Sequence, residues 1–318
     1  MNVFSVGKGL VAACAARLAG QGRLDLDAPV AACWPEFAAA GKDRITLRQV
    51  LSHQAGLPAV RRRLPPGAML DWTAMTTALA AQEPWWEPGT GHGYHVNTFG
   101  FLAGEVIRRV TGSTVGELLR TEVAGPLGAD VHIGLPAAEH PRVATFVWPG
   151  PLPSFDPAQL MQHNAYFNPD GLSGHGVINS SRWRSAEIPS ANAHATARGV
   201  ARVYAALARG GELDSVRLLA PATIDRAIVV QSSGRDAVLT LPTRFATGFM
   251  LALPGGLFEC GPGRRTFGHP GRGGSIGFAD PDARLGFGYV TNQYITGTAR
   301  HPDRRVASLV DAVYAALR

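Results

Sequence analysis

The spacing of hydrophobic residues predicts helices along most of the chain. In the first of them, apolar residues recur every four positions at Val6, Leu10, Cys14 and Leu18, which predicts a helix over residues 5–18 that ends near Gly20. Similar patterns predict helices over residues 46–51, 73–81, 98–110, 195–209, 221–230 and 304–317, with one or two further turns over 116–122.

The late part of the chain has the alternation and the turn residues that are typical of strands. Four strands are predicted, over residues 245–253, 266–269, 275–279 and 285–291, with Asp280-Pro281-Asp282-Ala283 as the hairpin turn between the last two. Residues 135–190 show weak periodicity and many Gly, Pro, Asn and Ser residues, which predicts a long irregular region lining a cleft. Helices followed by antiparallel strands indicate an α+β protein.

Composition narrows the function classes. The 318 residues are 46% hydrophobic and 17% charged, enough apolar material for a large core in one or two domains. The net charge of +6 is spread thinly, and its one run of three cations, Arg61-Arg62-Arg63, precedes a Pro-Pro-Gly turn and is typical of a solvated loop. We therefore expect no nucleic-acid partner.

Cysteine usage and hydropathy predict a compartment. The three cysteines form no Cys-x-x-Cys pair, which argues against a disulfide framework or a zinc site, and no His-Glu-x-x-His motif indicates another metal site. No apolar segment approaches the roughly 20 residues of a membrane span, and no signal peptide precedes the first motif. The expectation is a cytoplasmic protein that needs neither a membrane nor a cofactor.

Ser5 and Lys8 form the first candidate catalytic pair. Three residues apart on a helix, they share one face, and Ser5 lies at the helix start, where free N–H groups favour developing negative charge. A desolvated Lys8 could take the serine proton. Lys8 and Lys42 are the only lysines among 30 basic residues, and an amine, unlike a guanidinium, can lose a proton. The alternative is a capping serine followed by a surface lysine.

Three further motifs carry candidate chemistry. Ser275 lies in a Gly-x-Ser-x-Gly pattern, but a nucleophile elbow needs a helix after the serine, whereas a strand and a hairpin are predicted here. Its only later histidine is His301. Tyr94 lies on a Gly-rich loop, where a tyrosine near a lysine could act as a phenolate base. His269-Pro270-Gly271 ends a predicted strand, and glycine there would let the backbone approach a ligand.

An ordered set of motifs resembles a known family. Its members are Ser5-Val6-Gly7-Lys8, Leu24-Asp25-Leu26-Asp27-Ala28-Pro29-Val30, Leu51-Ser52-His53-Gln54-Ala55-Gly56-Leu57, Tyr94-His95, Gly104-Glu105-Val106-Ile107 and Phe267-Gly268-His269-Pro270-Gly271. Together they closely resemble the family VIII carboxylesterases, relatives of class C β-lactamases and penicillin-binding proteins, from Ser5 to about Asn292. The resemblance implies a serine β-lactamase/DD-peptidase-like fold, an antiparallel sheet flanked by helices plus a mostly helical subdomain.

The resemblance also implies roles for individual residues. Ser5 matches the acyl-enzyme nucleophile, Lys8 its partner, and Tyr94 the tyrosine that shuttles protons. His269 and Gly271 occupy the place of a Lys-Thr-Gly motif, and the backbone N–H groups of Ser5 and Arg272 would form the oxyanion hole. Substrate-binding candidates beside them are Trp85, Trp86, His95 and Asn97.

Two departures from the pattern bear on the substrate. Class C β-lactamases show Tyr-x-Asn, whereas Val96 holds that position here and Asn97 comes one place late. His269 replaces the lysine of the strand motif, and both changes favour esters over β-lactams. The family also has strands before its Ser-x-x-Lys motif, which we expect to be missing here. Their loss would expose a sheet edge able to pair with another chain in a homo-oligomer.

The sequence therefore predicts a serine carboxylesterase for small short-acyl esters. The nucleophile helix would cover residues 1–22. A mostly helical subdomain would cover residues 23–160, and an α/β subdomain would cover residues 161–318. The Trp85-Trp86 loop and residues 135–190 would form the walls of the cleft. One alternative is an amide hydrolase acting on a β-lactam, a D-amino peptide or a peptidoglycan stem. Another is an inactive fragment or binding protein with a poorly anchored nucleophile helix.

Overall fold

A computed structural model describes residues 1–148, 159–170, 175–295 and 303–317 of the chain. The helices are α1 (Val6–Gly20), α2 (Leu47–Leu51), α3 (Trp72–Ala81), α4 (Thr98–Thr111), α5 (Val115–Leu118), α6 (Leu160–Phe167), α7 (His175–Ile178), α8 (Ser181–Ser185), α9 (Ala197–Ala208), α10 (Pro221–Ala227) and α11 (Arg304–Ala316). Short 3₁₀ turns lie at Val30–Ala32, Pro35–Gly41, Ala68–Leu70 and Ala137–Arg142, and a π-helical turn at Leu119–Ala124.

The strands form three antiparallel sheets. They are β1 (Asn2–Phe4), β2 (Val131–His132), β3 (Ala193–Ala195), β4 (Glu212–Leu213), β5 (Val216–Arg217), β6 (Ser232–Arg235), β7 (Pro242–Phe245), β8 (Met250–Leu251), β9 (Phe267–Pro270), β10 (Ile276–Asp280) and β11 (Leu285–Tyr289). The largest sheet has the order β11-β10-β9-β8-β7-β6, and Phe278 of β10 lies opposite both Gly268 and Phe287. Within the described ranges β11 and β6 are the edges of this sheet. The homo-oligomer that pairs through an exposed sheet edge stays a prediction.

Helix α1 is buried on nearly every side, between the large sheet and the helices α4 and α10. Two glycines permit this close packing. A Cβ atom at Gly7 would lie 2.4 Å from the Pro189 carbonyl oxygen, and one at Gly9 would lie 2.0 Å from the Tyr204 hydroxyl. The smallest side chain is therefore required at both positions, and the helix is held rigidly at the centre of the core.

The α+β prediction is confirmed, and most of the predicted elements are present. Thr46 caps α2 in a reciprocal capping box with Gln49, and the hairpin turn lies where the sequence indicated, between β10 and β11. None of the helices within the described ranges is long and apolar enough to cross a bilayer. The division into subdomains at residues 22 and 160 stays a prediction.

Two predictions of local structure were wrong. The strand predicted over residues 245–253 is interrupted, because the chain reverses between β7 and β8 at Gly248, which has a φ of 83° and lies against Ala12 of α1. Residues 135–190 were predicted to be irregular, yet the described part of this region contains α6, α7 and α8. These helices are too short for a periodic pattern to stand out. Residues 149–158 and 171–174 of the same region lie outside the described residues.

Candidate active site

Ser5 lies at the N-terminal end of α1, directly after β1. It is half-buried, its side chain makes no capping hydrogen bond, and it lines a cavity of about 370 Å³. Phe4 immediately before it has a left-handed backbone with a φ of 48°, a conformation that costs a non-glycine residue about 1 kcal/mol or more. This strained residue turns the chain from β1 into α1 and holds Ser5 at the cavity wall.

Lys8 lies one turn further along α1 and is completely buried. Its Nζ atom is 3.1 Å from Ser5 Oγ, 2.7 Å from the Val96 carbonyl oxygen and 3.1 Å from the Ser190 carbonyl oxygen. Desolvation lowers the pKa of Lys8 well below its ordinary value, which favours the neutral amine. A neutral amine has two N–H groups and one lone pair. Because the two carbonyl oxygens can only accept, they take both N–H groups, and the lone pair is left for the Ser5 hydroxyl.

Tyr94 approaches the same point from the loop that precedes α4. Asp236 Oδ1 accepts a 3.0 Å hydrogen bond from the Tyr94 backbone N–H, and the ring stacks on Phe245 and lies 4.6 Å from Lys8 Nζ. Burial raises the pKa of Tyr94 well above its ordinary value, and a hydrogen bond with the Ser5 side chain opposes that rise. The phenol is therefore protonated near neutral pH, which suits a proton donor better than the phenolate base that the sequence suggested.

His269, at the end of β9, faces the Tyr94 hydroxyl. Its Nε2 atom is 3.4 Å from Tyr94 Oη, and its Nδ1 atom is 2.7 Å from the Pro270 carbonyl oxygen. A carbonyl oxygen can only accept, so Nδ1 carries the proton and Nε2 presents its lone pair to the phenol. Burial, together with the nearby Lys8, lowers the pKa of His269 to about 3. The imidazole is thus neutral, with one defined tautomer.

Two backbone N–H groups at the cavity wall, those of Ser5 and Arg272, donate to no acceptor within the described ranges. The N–H of the neighbouring Gly271 is occupied, because it donates to the Ser275 carbonyl oxygen over 2.6 Å. A Cβ atom at Gly271 would lie 2.3 Å from the Val3 carbonyl oxygen, so only glycine lets this turn approach β1. Two free N–H groups are what an oxyanion hole needs.

Ser275 has the surroundings of a structural residue. Its side chain is only 1% exposed, and its Oγ accepts a 3.2 Å hydrogen bond from the Thr291 backbone N–H. The strand β10 follows it, where a nucleophile elbow would have a helix. The geometry therefore agrees with the sequence argument against Ser275 as a nucleophile.

The structure brings Asn97 to the cavity but not Trp85 or Trp86. Asn97 lines the cavity and its Nδ2 donates to the Ala165 carbonyl oxygen over 3.0 Å. The Trp85 indole instead donates to the Ala59 carbonyl oxygen over 2.9 Å, outside the cavity lining. Trp86 lies edge-on to His95, with their centroids 6.2 Å apart, also outside it. The prediction that these two indoles wall the cleft differs from the structure because their loop folds back onto the helical part.

His95 supports the Tyr94 loop rather than the cavity. Its Nε2 accepts a hydrogen bond from the Leu57 N–H, and its Nδ1 donates to the Gly93 carbonyl oxygen. Its own backbone N–H donates over 3.1 Å to Nδ1 of His53, which is also buried. Burial lowers the pKa of His95 to about 3. Both histidines are therefore neutral hydrogen-bonding residues beneath the site. The sequence analysis had instead predicted that His95 contacts the substrate.

The sequence analysis missed two sets of groups at the site. One is the set of aromatic residues that line the cavity, and the other is a pair of backbone carbonyl groups that accept hydrogen bonds from Lys8. The described lining includes Trp148, Tyr166, Trp183 and Tyr294. The Trp148 and Tyr294 rings stack with centroids 4.5 Å apart. The carbonyl groups of Val96 and Ser190, which orient Lys8, carry no side-chain signal at all. Single aromatic residues in irregular segments have no periodicity that could have revealed them.

Comparison with known proteins identifies the family of the chain. A family model described as Beta-lactamase matches residues 1–312. The Esterase/beta-lactamase LipL of Mycobacterium tuberculosis (strain ATCC 25618 / H37Rv) is 36% identical over 312 residues, which are 92% of this chain and 69% of LipL.

Two of the similar solved structures each align with 99% of this chain. A family VIII carboxylesterase is 40% identical with a TM-score of 0.90 over 83% of its own chain. A penicillin-binding protein homolog from Caulobacter crescentus is 43% identical with a TM-score of 0.89 over 82% of its chain. The fold and these similarities define a serine hydrolase. Within that class, the chain belongs to the Beta-lactamase family.

Proposed function

We propose that the protein is a carboxylesterase that forms an acyl-enzyme on Ser5. The observation that carries the proposal is the set of three contacts of Lys8 Nζ, because two carbonyl acceptors use both N–H groups of the neutral amine. The remaining lone pair is then available to the hydroxyl of Ser5, whose Oγ lies 3.1 Å from Nζ. A buried neutral amine at hydrogen-bonding distance from a hydroxyl is the arrangement that a general base for serine requires.

The acylation step follows from this arrangement. Lys8 takes the Ser5 proton while Ser5 Oγ forms a bond to the ester carbonyl carbon, and the carbonyl oxygen becomes an oxyanion. The N–H groups of Ser5 and Arg272 stabilise that charge; removal of one such donor costs about 3 kcal/mol in other enzymes. When the C–O bond of the ester breaks, Tyr94 gives its proton to the leaving alkoxide and recovers one from Lys8. Water then attacks the acyl-enzyme with the same groups in reverse roles.

His269 would act on this step through Tyr94. Its neutral Nε2 accepts from the phenol, which keeps the hydroxyl oriented without adding a second positive charge beside Lys8. A lysine at this position would add such a charge. The neutral imidazole therefore adds no charge of its own at the position where a lysine would add one.

Several observations favour esters over amides. Val96 lies where the family's β-lactamases have an asparagine, and it offers no side-chain amide to a substrate. The cavity of about 370 Å³ is lined largely by apolar and aromatic side chains, which fits a small acyl group. A similar solved structure is described as a carboxylesterase, whereas the relative named Esterase/beta-lactamase is compatible with either substrate.

Hydrolysis of 4-nitrophenyl butyrate by the wild type and by Ser5→Ala tests the proposal. Ser5→Ala should lose at least 10³-fold in kcat, since nucleophile and base act as a unit, and it should also lose labelling by a fluorophosphonate. Ser275→Ala is the matched control and should still be labelled. Labelling that persists in Ser5→Ala would overturn the assignment, and an unlabelled wild type would favour a binding protein. Faster turnover of a chromogenic cephalosporin than of the ester would favour the amide hydrolase.

A further inference from the structure

The Arg272 side chain has an unusual position within the cavity. Its guanidinium carbon lies 4.9 Å from the centroid of the Trp148 ring, 5.8 Å from that of Tyr166 and 6.0 Å from that of Tyr294. Three aromatic rings thus surround a single cation at the wall that also contains the free Arg272 N–H. The residue is half-buried and lines both this cavity and a neighbouring groove of about 780 Å³.

Several half-buried arginines of the molecule are paired with carboxylates, whereas Arg272, like Arg184 and Arg244, has no ion pair within the described ranges. Arg17 contacts Glu122 at 2.9 Å, and Arg109 contacts Glu105 at 2.7 Å. No acidic side chain within the described ranges lies at ion-pair distance from Arg272. Asp303, which lines the groove beside it, is engaged by Arg305 instead.

The three rings contact the guanidinium, and within the described part of the chain its N–H groups have no hydrogen-bond acceptor. Cation–π contacts attract the flat face of the group, whereas its five N–H bonds point outward in the plane, where a planar acceptor can meet two of them. A carboxylate is the group that matches this fork, and in a cavity with apolar walls the pair is weakly screened. An uncompensated cation in such a cavity therefore selects an anionic ligand.

We propose that Arg272 is a carboxylate-binding subsite and that the preferred substrates are esters bearing one carboxylate group. The inference rests on the proposed esterase function and specifies its substrate class. The carboxylate belongs either to the acyl part, as in a monoester of a dicarboxylic acid, or to the alcohol part, as in an acylated hydroxybenzoate. In both cases the reacting carbonyl lies at Ser5 while the anion contacts the guanidinium on the same cavity wall.

The experiment compares charged and neutral esters of the same skeleton. One arm uses 4-nitrophenyl hydrogen adipate and its methyl ester; the other uses 4-acetoxybenzoate and its methyl ester. The kcat/KM ratio of charged over neutral ester is measured for the wild type, Arg272→Gln and Arg272→Lys. Arg44→Gln is the matched control, since it removes the same charge from a fully exposed site. Intrinsic reactivity cancels when each variant's ratio is divided by that of the wild type.

We expect the ratio to fall at least tenfold in Arg272→Gln in one arm, less in Arg272→Lys, and to stay unchanged in Arg44→Gln. The arm that responds identifies the side of the ester that carries the carboxylate. Equal ratios for the wild type and Arg272→Gln in both arms would overturn the subsite while leaving the esterase proposal intact, because the neutral esters report on that separately. A wild type that hydrolyses neither neutral ester would remove the function on which the subsite rests.

Discussion

Replacing Lys8 by methionine tests the central geometry of the site, because methionine fills nearly the same buried volume and has no proton acceptor for Ser5. Loss of a positioned general base typically costs 10²–10⁴-fold in rate, which is about 3–5 kcal/mol of barrier. Lys8→Arg should fail in the same way, since a guanidinium stays protonated. In the wild type, kcat/KM should fall as the pH drops through the lowered pKa of Lys8, and this limb should be absent from the residual activity of Lys8→Met.

The same residue predicts how folding stability depends on pH. The pKa of Lys8 is about 10.5 when the chain is unfolded and well below that in the folded protein. Between these two values only the unfolded state binds the proton, so the stabilisation is complete above 10.5 and is lost as the pH falls toward the folded-state pKa. In that window the free energy of unfolding rises by up to about 1.4 kcal/mol per pH unit.

Urea unfolding at pH 7 and pH 9 measures this effect. The free energy of unfolding of the wild type should gain up to about 2.7 kcal/mol more than that of Lys8→Met over the interval. Lys42→Met is the matched control for activity. Lys42 also donates to two carbonyl oxygens, those of Ala39 and Gln82, but lies outside the cavity, so the folded variant should hydrolyse esters at the wild-type rate. Ester hydrolysis retained by Lys8→Met, together with equal pH slopes of stability, would refute the neutral-amine argument.

Three further substitutions follow from the structure. Tyr94→Phe should lower kcat at least 10²-fold with little change in KM, because the proton donor is lost while the ring remains; steady-state ester hydrolysis measures it. Glu105→Gln should cost about 2–4 kcal/mol of unfolding free energy at pH 7. Burial opposes the shift, but hydrogen bonds from two arginines and a tryptophan lower the pKa of Glu105 to about 2. The difference in unfolding free energy between the wild type and Glu105→Gln should therefore shrink as the pH falls below 4.5, and urea unfolding measures it. Gly271→Ala should lower kcat at least tenfold and stability by about 1–3 kcal/mol, since its Cβ would meet the Val3 carbonyl oxygen; kinetics and thermal unfolding report both.

Each of these has a matched control elsewhere in the chain. Tyr289→Phe removes a hydroxyl from the edge strand β11 and should keep kcat. Glu139→Gln removes an ion pair with the exposed Arg142 and should cost less than about 1 kcal/mol. Gly176→Ala adds a Cβ that meets no heavy atom of the described residues within 4 Å, and it should change neither readout. A control that behaves like its test variant would trace the effect to the type of substitution instead of to the site.

The sequence by itself determined what depends on near neighbours in the chain. The helical repeat from Val6 to Leu18 predicted α1, and helix geometry then placed Ser5 and Lys8 on one face without any knowledge of the fold. Turn and cap chemistry was equally readable, as Thr46 of α2 shows. The same local reasoning argued against Ser275, because the element that follows a serine can be predicted from the pattern after it.

Only the tertiary structure decided which distant groups meet at Ser5. The lowered pKa of Lys8 depends on its complete burial, and the carbonyl groups of Val96 and Ser190 that contact its amine come from separate segments. Trp85 and Trp86 look like cleft residues in the sequence, yet the cavity is lined by aromatic residues from segments far away, such as Trp148, which also contacts Arg272. The physical reason is range: helix, cap and turn energies depend on a few adjacent residues, whereas burial, protonation and cavity shape depend on long-range packing of the whole chain.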